Sequence, residues 1–390
     1  MIQGSSTAPF TANPDHEAMR DVVRDFCANC IDEATVRRLM DTPLGWDRDL
    51  WKRLAMEIGA FGVAVPEQAG GLGLGFETQA ILFEEFGAAL VPGPVIGTLG
   101  LAIPILAGLQ ETETAKTLLR DLLEARKTAA LTVPLDSIST ATIGELPEAT
   151  ANDGGWSLHG TVAHVIDGDK ADVFLALARQ GDEIALFSVD AGTAGVAIET
   201  LSCLDQTRGQ ADIKFSGANG QLLARGDLAQ NLCDRALAIG AAMLAAEQVG
   251  AANRILDMTI DYLKTRIQFG KQLGTFQALK HKVADLYVAL DLARSTMLYV
   301  AWSIDNNITV PPAIISLAKA TCSDAFQRIT SSAIQLHGGI GFTWEHPLHL
   351  YFKRAVADAV TFGSSASHRD RIATYILGSN PPPHVHAKAP

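Results

Sequence analysis

Cysteine is scarce in this chain, and basic residues are not in excess. Five cysteines among 390 residues are an odd, sparse count with no disulfide framework, which favours a reducing, cytoplasmic location. Cys27 and Cys30 form a C-x-x-C pair, but no second pair or histidine cluster completes a metal site. A structural role is therefore favoured over redox chemistry, and no metal is predicted. Lysine and arginine number 31 against 43 aspartates and glutamates, which argues against nucleic acid as a partner.

Long apolar runs free of proline are also absent. The longest uncharged stretch, residues 86–110, contains Pro92, Pro94 and Pro104. Because a membrane-spanning helix rarely carries three prolines, we expect a buried helix entered through a proline-rich loop and no membrane insertion. The first fifteen residues lack a basic end followed by an apolar stretch, so no signal peptide is expected.

Hydrophobic residues nevertheless make up 48% of the chain, enough for a large core, and the length favours two to three domains. Helical spacing of apolar residues gives way to short β-branched runs, and then returns. The sequence predicts an α+β multidomain chain: an N-terminal helical domain over residues 1–128, a small β barrel or sandwich over 129–218, and a C-terminal domain like a four-helix bundle over 219–378. Residues 379–390, which include three consecutive prolines, are predicted to be unstructured.

One acidic residue lies in an otherwise apolar helical segment. From Ala236 to Asn253 only Glu247 carries a charge, and a helix of this composition must be buried on most sides. Burial disfavours a charged carboxylate, so we expect its pKa to rise above the free value of about 4.3 and to suit a general base. Alternatively, Glu247 lies on a wet edge of the helix or pairs with an arginine.

Two later segments combine glycine with groups that bind anions. The segment 266–270, Arg-Ile-Gln-Phe-Gly, is followed by Phe276-Gln277; it either binds an anion or ends a helix with a dipole-matched arginine. The segment 335–342, Gln-Leu-His-Gly-Gly-Ile-Gly-Phe, has glycines that let backbone amides approach a phosphate. Alternatively, it is a tight bend between two helices.

Together these segments resemble the acyl-CoA dehydrogenase family. Segment 266–270 is similar to the family's Arg-x-x-Phe-Gly, segment 335–346 to its glycine turn, and segment 65–73 to an early glycine-rich loop; the α–β–α order agrees. The resemblance implies FAD, an acyl-CoA substrate oxidised to its trans-2-enoyl-CoA, an electron-transfer flavoprotein as acceptor, and a homodimer or tetramer. It also implies FAD contacts from Arg266, Gln268, Phe269, Gln277, Gln335, Gly338 and Gly339.

Two departures from the family pattern affect the catalytic base. Straight-chain members carry a glutamate in Tyr-Glu-Gly-Thr, where segment 361–365 reads Thr-Phe-Gly-Ser-Ser. Another branch has its glutamate at the position of Gly240, two helical turns before Glu247 and on the same face. The surrounding Ala-Glu-Gln-Val-Gly is similar to bacterial steroid-CoA dehydrogenase subunits. The resemblance therefore implies Glu247 as the base, with Asp370 as the fallback.

The segments expected to face the flavin ring depart from the family as well. Its Thr-Glu-Pro is here Thr132-Val133-Pro134, and its Trp-Ile-Thr is His164-Val165-Ile166. One hypothesis is a dehydrogenase for a bulky or steroid-type acyl group. A second is a non-catalytic subunit that completes the FAD site of a related chain in a heterotetramer. A third is a flavin oxidase or monooxygenase on the same scaffold.

Overall fold

The computed structural model describes residues 14–109, 111–152, 155–306 and 312–378. Along these residues helices are followed by a β barrel and then by helices again, which confirms the predicted order. The predicted unstructured tail at 379–390 lies outside the described residues, as does most of the segment considered for a signal peptide.

Short helices with side-chain caps build the N-terminal region. Asp32, Asp47 and Thr112 each accept a hydrogen bond from a backbone amide in the first turn of the following helix, which satisfies donors that a helix start leaves free. The elements are α1 (Pro14–Cys30), α2 (Glu33–Met40), α3 (Arg48–Ile58), α4 (Gly75–Ala89), a π-helix (Val95–Ala102), α5 (Ile103–Ala107) and α6 (Glu113–Leu123).

The middle of the long uncharged stretch is a buried helix, as predicted. Every residue of the π-helix Val95–Ala102 is buried, and the proline-containing residues 91–94 lead into it. Within the described ranges, no helix is both long and apolar enough to cross a membrane.

The middle region is a small barrel with two added edge strands. Strands β2, β3, β7, β5 and β4 pair in a ring that closes where β4 meets β2, while β1 extends the sheet beside β4 and β6 beside β7. Its interior contains Phe174, Phe187 and Phe215. The strands are β1 (Ala129–Leu131), β2 (Glu148–Asn152), β3 (Gly155–Ile166), β4 (Val173–Gln180), β5 (Glu183–Asp190), β6 (Val196–Thr200) and β7 (Gln210–Arg225).

The barrel ends later than the sequence predicts. Strand β7 continues to Arg225 rather than ending near residue 218. Gly217 has a φ of 77°, and the pairing with β3 shifts register nearby, so a bulge interrupts the alternation of side chains there. The residues beyond it include leucine and alanine, which fit a helix as well as a strand, and the sequence pattern therefore misplaced the boundary.

The C-terminal region is the predicted bundle. Helices α7, α8, α9 and α11 pack together, and α10 packs against α7 and α9. The elements are α7 (Gly226–Thr265), a hairpin of β8 (Ile267–Gln268) and β9 (Lys271–Gln272), α8 (Gln277–Asp305), α9 (Pro312–His337), α10 (Leu348–Asp358) and α11 (Ser365–Leu377).

Two glycines allow helix α4 of the N-terminal region to pack directly against helix α7 of the bundle. A Cβ on Gly250 of α7 would lie 1.8 Å from the Glu84 carbonyl oxygen, and one on Gly87 of α4 would lie 1.9 Å from the Glu247 carbonyl oxygen. Only glycine permits this approach of two backbones. The α4–α7 crossing therefore encloses the middle of α7, where Glu247 lies.

Candidate functional site

The Glu247 side chain is enclosed in the protein interior and is only 2% exposed. Arg208, from the loop before β7, donates to Glu247 Oε1 at 2.5 Å. Arg354, from α10, donates to the same oxygen. The sequence left two alternatives to a catalytic role for Glu247, a wet edge of the helix or pairing with an arginine. The structure shows pairing with arginines.

The same two arginines bind two further carboxylates. Arg208 Nη1 donates to Asp358 Oδ1 at 2.7 Å, and Arg354 Nε donates to Asp205 Oδ2 at 2.5 Å. We name these five residues the buried charge cluster; their exposed fractions do not exceed 6%. Because Asp205 and Arg208 belong to the barrel and the others to α7 and α10, the cluster ties the barrel to the bundle.

The pKa of Glu247 is lower than its ordinary value, and the predicted increase is wrong. Burial alone would raise it, but the attraction of Arg208 and Arg354 to the carboxylate outweighs burial. A carboxylate held in two charge-assisted hydrogen bonds is a weak proton acceptor. The pKa of Asp358 shifts in the opposite direction. Burial raises it to about 7, although the attraction of Arg208 to the carboxylate opposes this increase.

The two positions at which the resemblance would place another base are closely packed. A Cβ on Gly240 would lie 2.8 Å from Leu101 and 3.0 Å from the ring of Phe362. With the two glycines aligned, the glutamate of Tyr-Glu-Gly-Thr falls at Phe362, which is 2% exposed and has a φ of 56°. An acidic side chain at Gly240 would require its neighbours to move, and one at Phe362 would be buried.

The fallback Asp370 lies on α11 with its side chain exposed. Asp370 makes no contact with the buried charge cluster among the described residues. The structure therefore does not bring the two candidate acids together.

Backbone hydrogen bonds join the barrel directly to the bundle beside these positions. The Leu135 amide donates to the His164 carbonyl at 3.0 Å, and the Phe362 amide donates to the Leu135 carbonyl at 2.7 Å. Thr132, on the segment expected to face flavin, is fully buried, and its hydroxyl has no partner among the described residues. Leu135, the residue that follows the segment expected to face a flavin ring, is thus bonded to Phe362 of this same chain.

At the other end of the bundle, the hairpin after α7 presents an exposed aromatic ring. Phe269 and Gly270 form its two-residue turn, with φ values of 53° and 76°. Phe269 is 89% exposed, although an aromatic residue rarely adopts positive φ. Strain of this kind persists mainly at functional positions. Arg266 and Gln268 are exposed beside it.

The glycine turn after α9 presents its backbone to open space. Gly338 has a φ of 64°, and a Cβ on Gly338 or Gly339 would meet nothing within 4 Å among the described residues. Gln335 is exposed on the last turn of α9, and Gln277 is exposed at the start of α8. A hydrogen bond from Tyr262 to the His337 carbonyl joins this turn to the hairpin, so the seven predicted FAD contacts lie at one end of the bundle.

A separate cavity of about 680 Å³ lies between the N-terminal helices and the bundle. Arg20, Arg254 and Tyr351 line it, whereas Glu247 does not. Among the described residues, no member of the buried charge cluster lines this cavity.

Comparisons with known proteins agree with this architecture. Residues 13–125 match the acyl-CoA dehydrogenase N-terminal domain, and residues 231–377 match the acyl-CoA dehydrogenase C-terminal domain. The acyl-CoA dehydrogenase IpdE2 of Mycolicibacterium smegmatis is 36% identical over 350 residues, which cover 90% of this chain and 94% of the relative.

Two solved structures have the same fold over nearly their whole length. A variant of the steroid ACAD Tcur3481–Tcur3483 is 26% identical, with a TM-score of 0.82 over 93% of this chain and 98% of that one. The ChsE4–ChsE5 complex from Mycobacterium tuberculosis is 24% identical, with a TM-score of 0.86 over 96% of this chain and 100% of that one; at that identity it supports the fold alone.

The chain is therefore an α–β–α flavoenzyme by class, and it belongs to the acyl-CoA dehydrogenase family. It is an FAD-dependent oxidoreductase of that family. The open glycine turn and the exposed arginine of the hairpin fit the anionic part of FAD. The barrel side fits the ring less well, because Leu135 and Phe362 are bonded to each other there.

Sequence reasoning missed four members of the buried charge cluster. One signal was available: buried positions Tyr351, Arg354 and Asp358 recur along α10 at helical spacing, so the charged residues share its apolar face. Arg208 comes from an irregular loop, where no periodic pattern marks burial.

Proposed function

We propose that this chain is a subunit of a heteromeric acyl-CoA dehydrogenase, in which it completes the FAD site of a related subunit and supplies no catalytic base. The assembly would oxidise a bulky, steroid-type acyl-CoA to the trans-2-enoyl-CoA. FAD supplies the hydride acceptor for this oxidation. A base on the related subunit would remove the α-proton.

One observation carries the proposal: the buried carboxylate of this chain is held by two arginines. Glu247 accepts from Arg208 and Arg354, so its charge serves the contact between barrel and bundle. The family's other base positions are those of Gly240, which is closely packed, and Phe362, which is a buried aromatic residue. Each of the three acids in the buried charge cluster is bound to an arginine.

The exposed end of the bundle supports a role toward a neighbouring chain. Phe269, at 89%, and Phe342, at 83%, are unusually exposed for large apolar residues. They lie on the hairpin and the glycine turn that carry the predicted FAD contacts. A surface of this kind fits burial against a related subunit that holds the flavin ring.

One similar structure supports the proposed substrate class and form of assembly. The name of the Tcur3481–Tcur3483 structure describes a steroid ACAD of two components, and we extend both features to this chain. A heterotetramer, an electron-transfer flavoprotein as acceptor and a cytoplasmic location belong to the same proposal.

The visible spectrum of the purified chain tests the proposal. The chain alone should contain much less than one FAD per chain. Co-expression with a related chain that carries a glutamate at a family base position should give a yellow complex. Its flavin should be bleached anaerobically by a steroid side-chain CoA thioester, with octanoyl-CoA as the comparison. A fully flavinated chain that is reduced without a partner would contradict the proposal.

A second candidate function keeps Glu247 as the base of a self-sufficient enzyme. The observation in its favour is that Glu247 Oε2 has no hydrogen-bond partner within the described ranges. In that case Oε2 would take the α-proton while Oε1 stays bound to the arginines. The substitution Glu247→Gln decides between the candidates.

A further inference from the structure

Tyr262 contacts both segments that carry the predicted FAD contacts. Its backbone carbonyl accepts from the Arg266 amide at 2.8 Å, at the start of the hairpin. Its hydroxyl donates to the His337 carbonyl at 3.2 Å, immediately before the glycine turn. The last carbonyls of a helix have no partner within it. The Tyr262 hydroxyl of α7 therefore supplies a partner for the His337 carbonyl at the end of α9.

The ring of His337 is held in place from two sides. It stacks on Tyr262, with centroids 4.3 Å apart and an interplanar angle of 23°. Its Nδ1 lies 2.8 Å from the Ala333 carbonyl oxygen. Because that oxygen can only accept, the ring proton is on Nδ1. Burial lowers the pKa of His337, so the ring is neutral at neutral pH.

The first two glycines of the turn, Gly338 and Gly339, have few contacts that would fix their position, whereas Gly341 packs against α9. A Cβ on Gly338 or Gly339 would meet nothing within 4 Å in the described part of the chain. The hairpin tip is also exposed. The separation between these two segments therefore depends on contacts made behind them, and Tyr262 and His337 form one that spans both.

We propose that Tyr262 and His337 are positioning residues that set the spacing between the hairpin and the glycine turn for the anionic groups of FAD. This inference rests on the proposed role of those segments in binding FAD. Binding sites gain affinity when their groups are ordered before the ligand arrives. Neither side chain needs to touch FAD for this effect.

Tyr262→Phe tests the proposal, because it removes the hydroxyl and keeps the stacked ring. In hydrogen–deuterium exchange of the purified chain, amides in segments 266–273 and 338–343 should exchange about fivefold faster, as expected for one lost hydrogen bond. The control Tyr287→Phe changes a tyrosine of α8 that is 59% exposed, and exchange should not change. Exchange in Tyr262→Phe equal to that of the control would overturn the proposal.

FAD affinity supplies the second readout, measured on whichever oligomer carries FAD. Tyr262→Phe should raise the dissociation constant of FAD about fivefold with little change in melting temperature. Faster exchange with unchanged FAD affinity would overturn the link to FAD. The exchange measurement is made on the purified chain and needs no related partner, so a chain that binds FAD without a partner would contradict the proposed function and leave this inference standing.

Discussion

Substitution of Glu247 by glutamine separates the two roles that this carboxylate can have. Glutamine keeps the shape of the side chain and removes its charge and basicity. If Glu247 serves the buried charge cluster, the substitution should lower stability and leave chemistry per bound flavin nearly unchanged. If Glu247 is the base, flavin reduction by acyl-CoA should be abolished.

The size of the stability effect follows from burial of the cluster. Removing one partner of a buried ion pair costs about 3–5 kcal/mol, because charges remain buried without compensation. Unfolding entropy of about 2.1 cal/mol/K per residue gives about 0.8 kcal/mol per degree for this length. The melting temperature of Glu247→Gln should therefore fall by about 4–6 °C.

A double-mutant cycle tests whether the loss comes from the arginine contact. Arg354→Met should also destabilise, because it leaves Asp205 without its arginine. The double variant should lose less than the sum of the single variants, with a coupling of about 0.5–3 kcal/mol. Glu199→Gln, which changes an exposed carboxylate on β6, is the matched control and should not shift the melting temperature.

Thermal unfolding and anaerobic single-turnover flavin reduction give the two readouts on the same preparations. The reasoning is refuted if Glu247→Gln melts like the unmodified protein and its bound flavin is no longer reduced. In that outcome the ion pairs would be incidental, and Glu247 would be the catalytic base.

Three further predictions concern the hairpin, the cluster and the packed base position. Phe269→Asn should raise the melting temperature by about 1 °C, because asparagine tolerates positive φ, while the FAD content of the assembly falls; flavin absorbance and thermal unfolding measure both. Burial raises the pKa of Asp358 from 3.8 to about 7, so its contribution to stability is present at low pH and is lost as pH rises through 7. The difference in melting temperature between the unmodified protein and Asp358→Asn, followed from pH 5 to 8, should show this loss; a constant difference would contradict it. Phe362→Glu, which places a carboxylate at the position of the family's glutamate, should destabilise because that position is buried and should not create a dehydrogenase, whereas Gly144→Glu, where a Cβ would meet nothing within 4 Å among the described residues, should be tolerated.

The order of the three regions could be read from the sequence because its signals are local. Helical spacing and short β-branched runs each repeat within a few residues. The boundary near residue 218 failed where a bulge in β7 breaks the alternation and where residues 222–224 suit either state. A propensity pattern has no means of detecting the pairing with β5 that keeps those residues in a strand.

The environment of Glu247 could be predicted only in part. Its burial follows from the apolar helix around it, and pairing with an arginine remained one alternative. The direction of its pKa shift depends on Arg208 and Arg354, which lie 39 and 107 residues away. Partners this far apart in the sequence produce no periodic pattern. The burial of Glu247 was therefore predicted correctly, whereas the direction of its pKa shift was not.

The predicted FAD contacts stay predictions, but their placement shows why their motifs are short. Phe269 and Gly338 lie on tight turns, where positive φ values restrict the residues that the backbone accepts. Such positions can be read directly from the sequence. Their relative placement depends on Tyr262, whose role becomes visible only when α7 and α9 are seen side by side.

The two ends of the bundle differ in how closely they are packed. At the barrel end, Phe362 packs at Gly240 and its amide bonds to Leu135, and arginines hold the remaining acid. At the other end, Phe269 is exposed at positive φ and contacts Phe276 at the edge of the hairpin, and Phe342 is exposed on the glycine turn. Strain of this kind clusters at functional sites. The closely packed end and the exposed end together agree with the proposal that this chain works as a subunit beside a related chain.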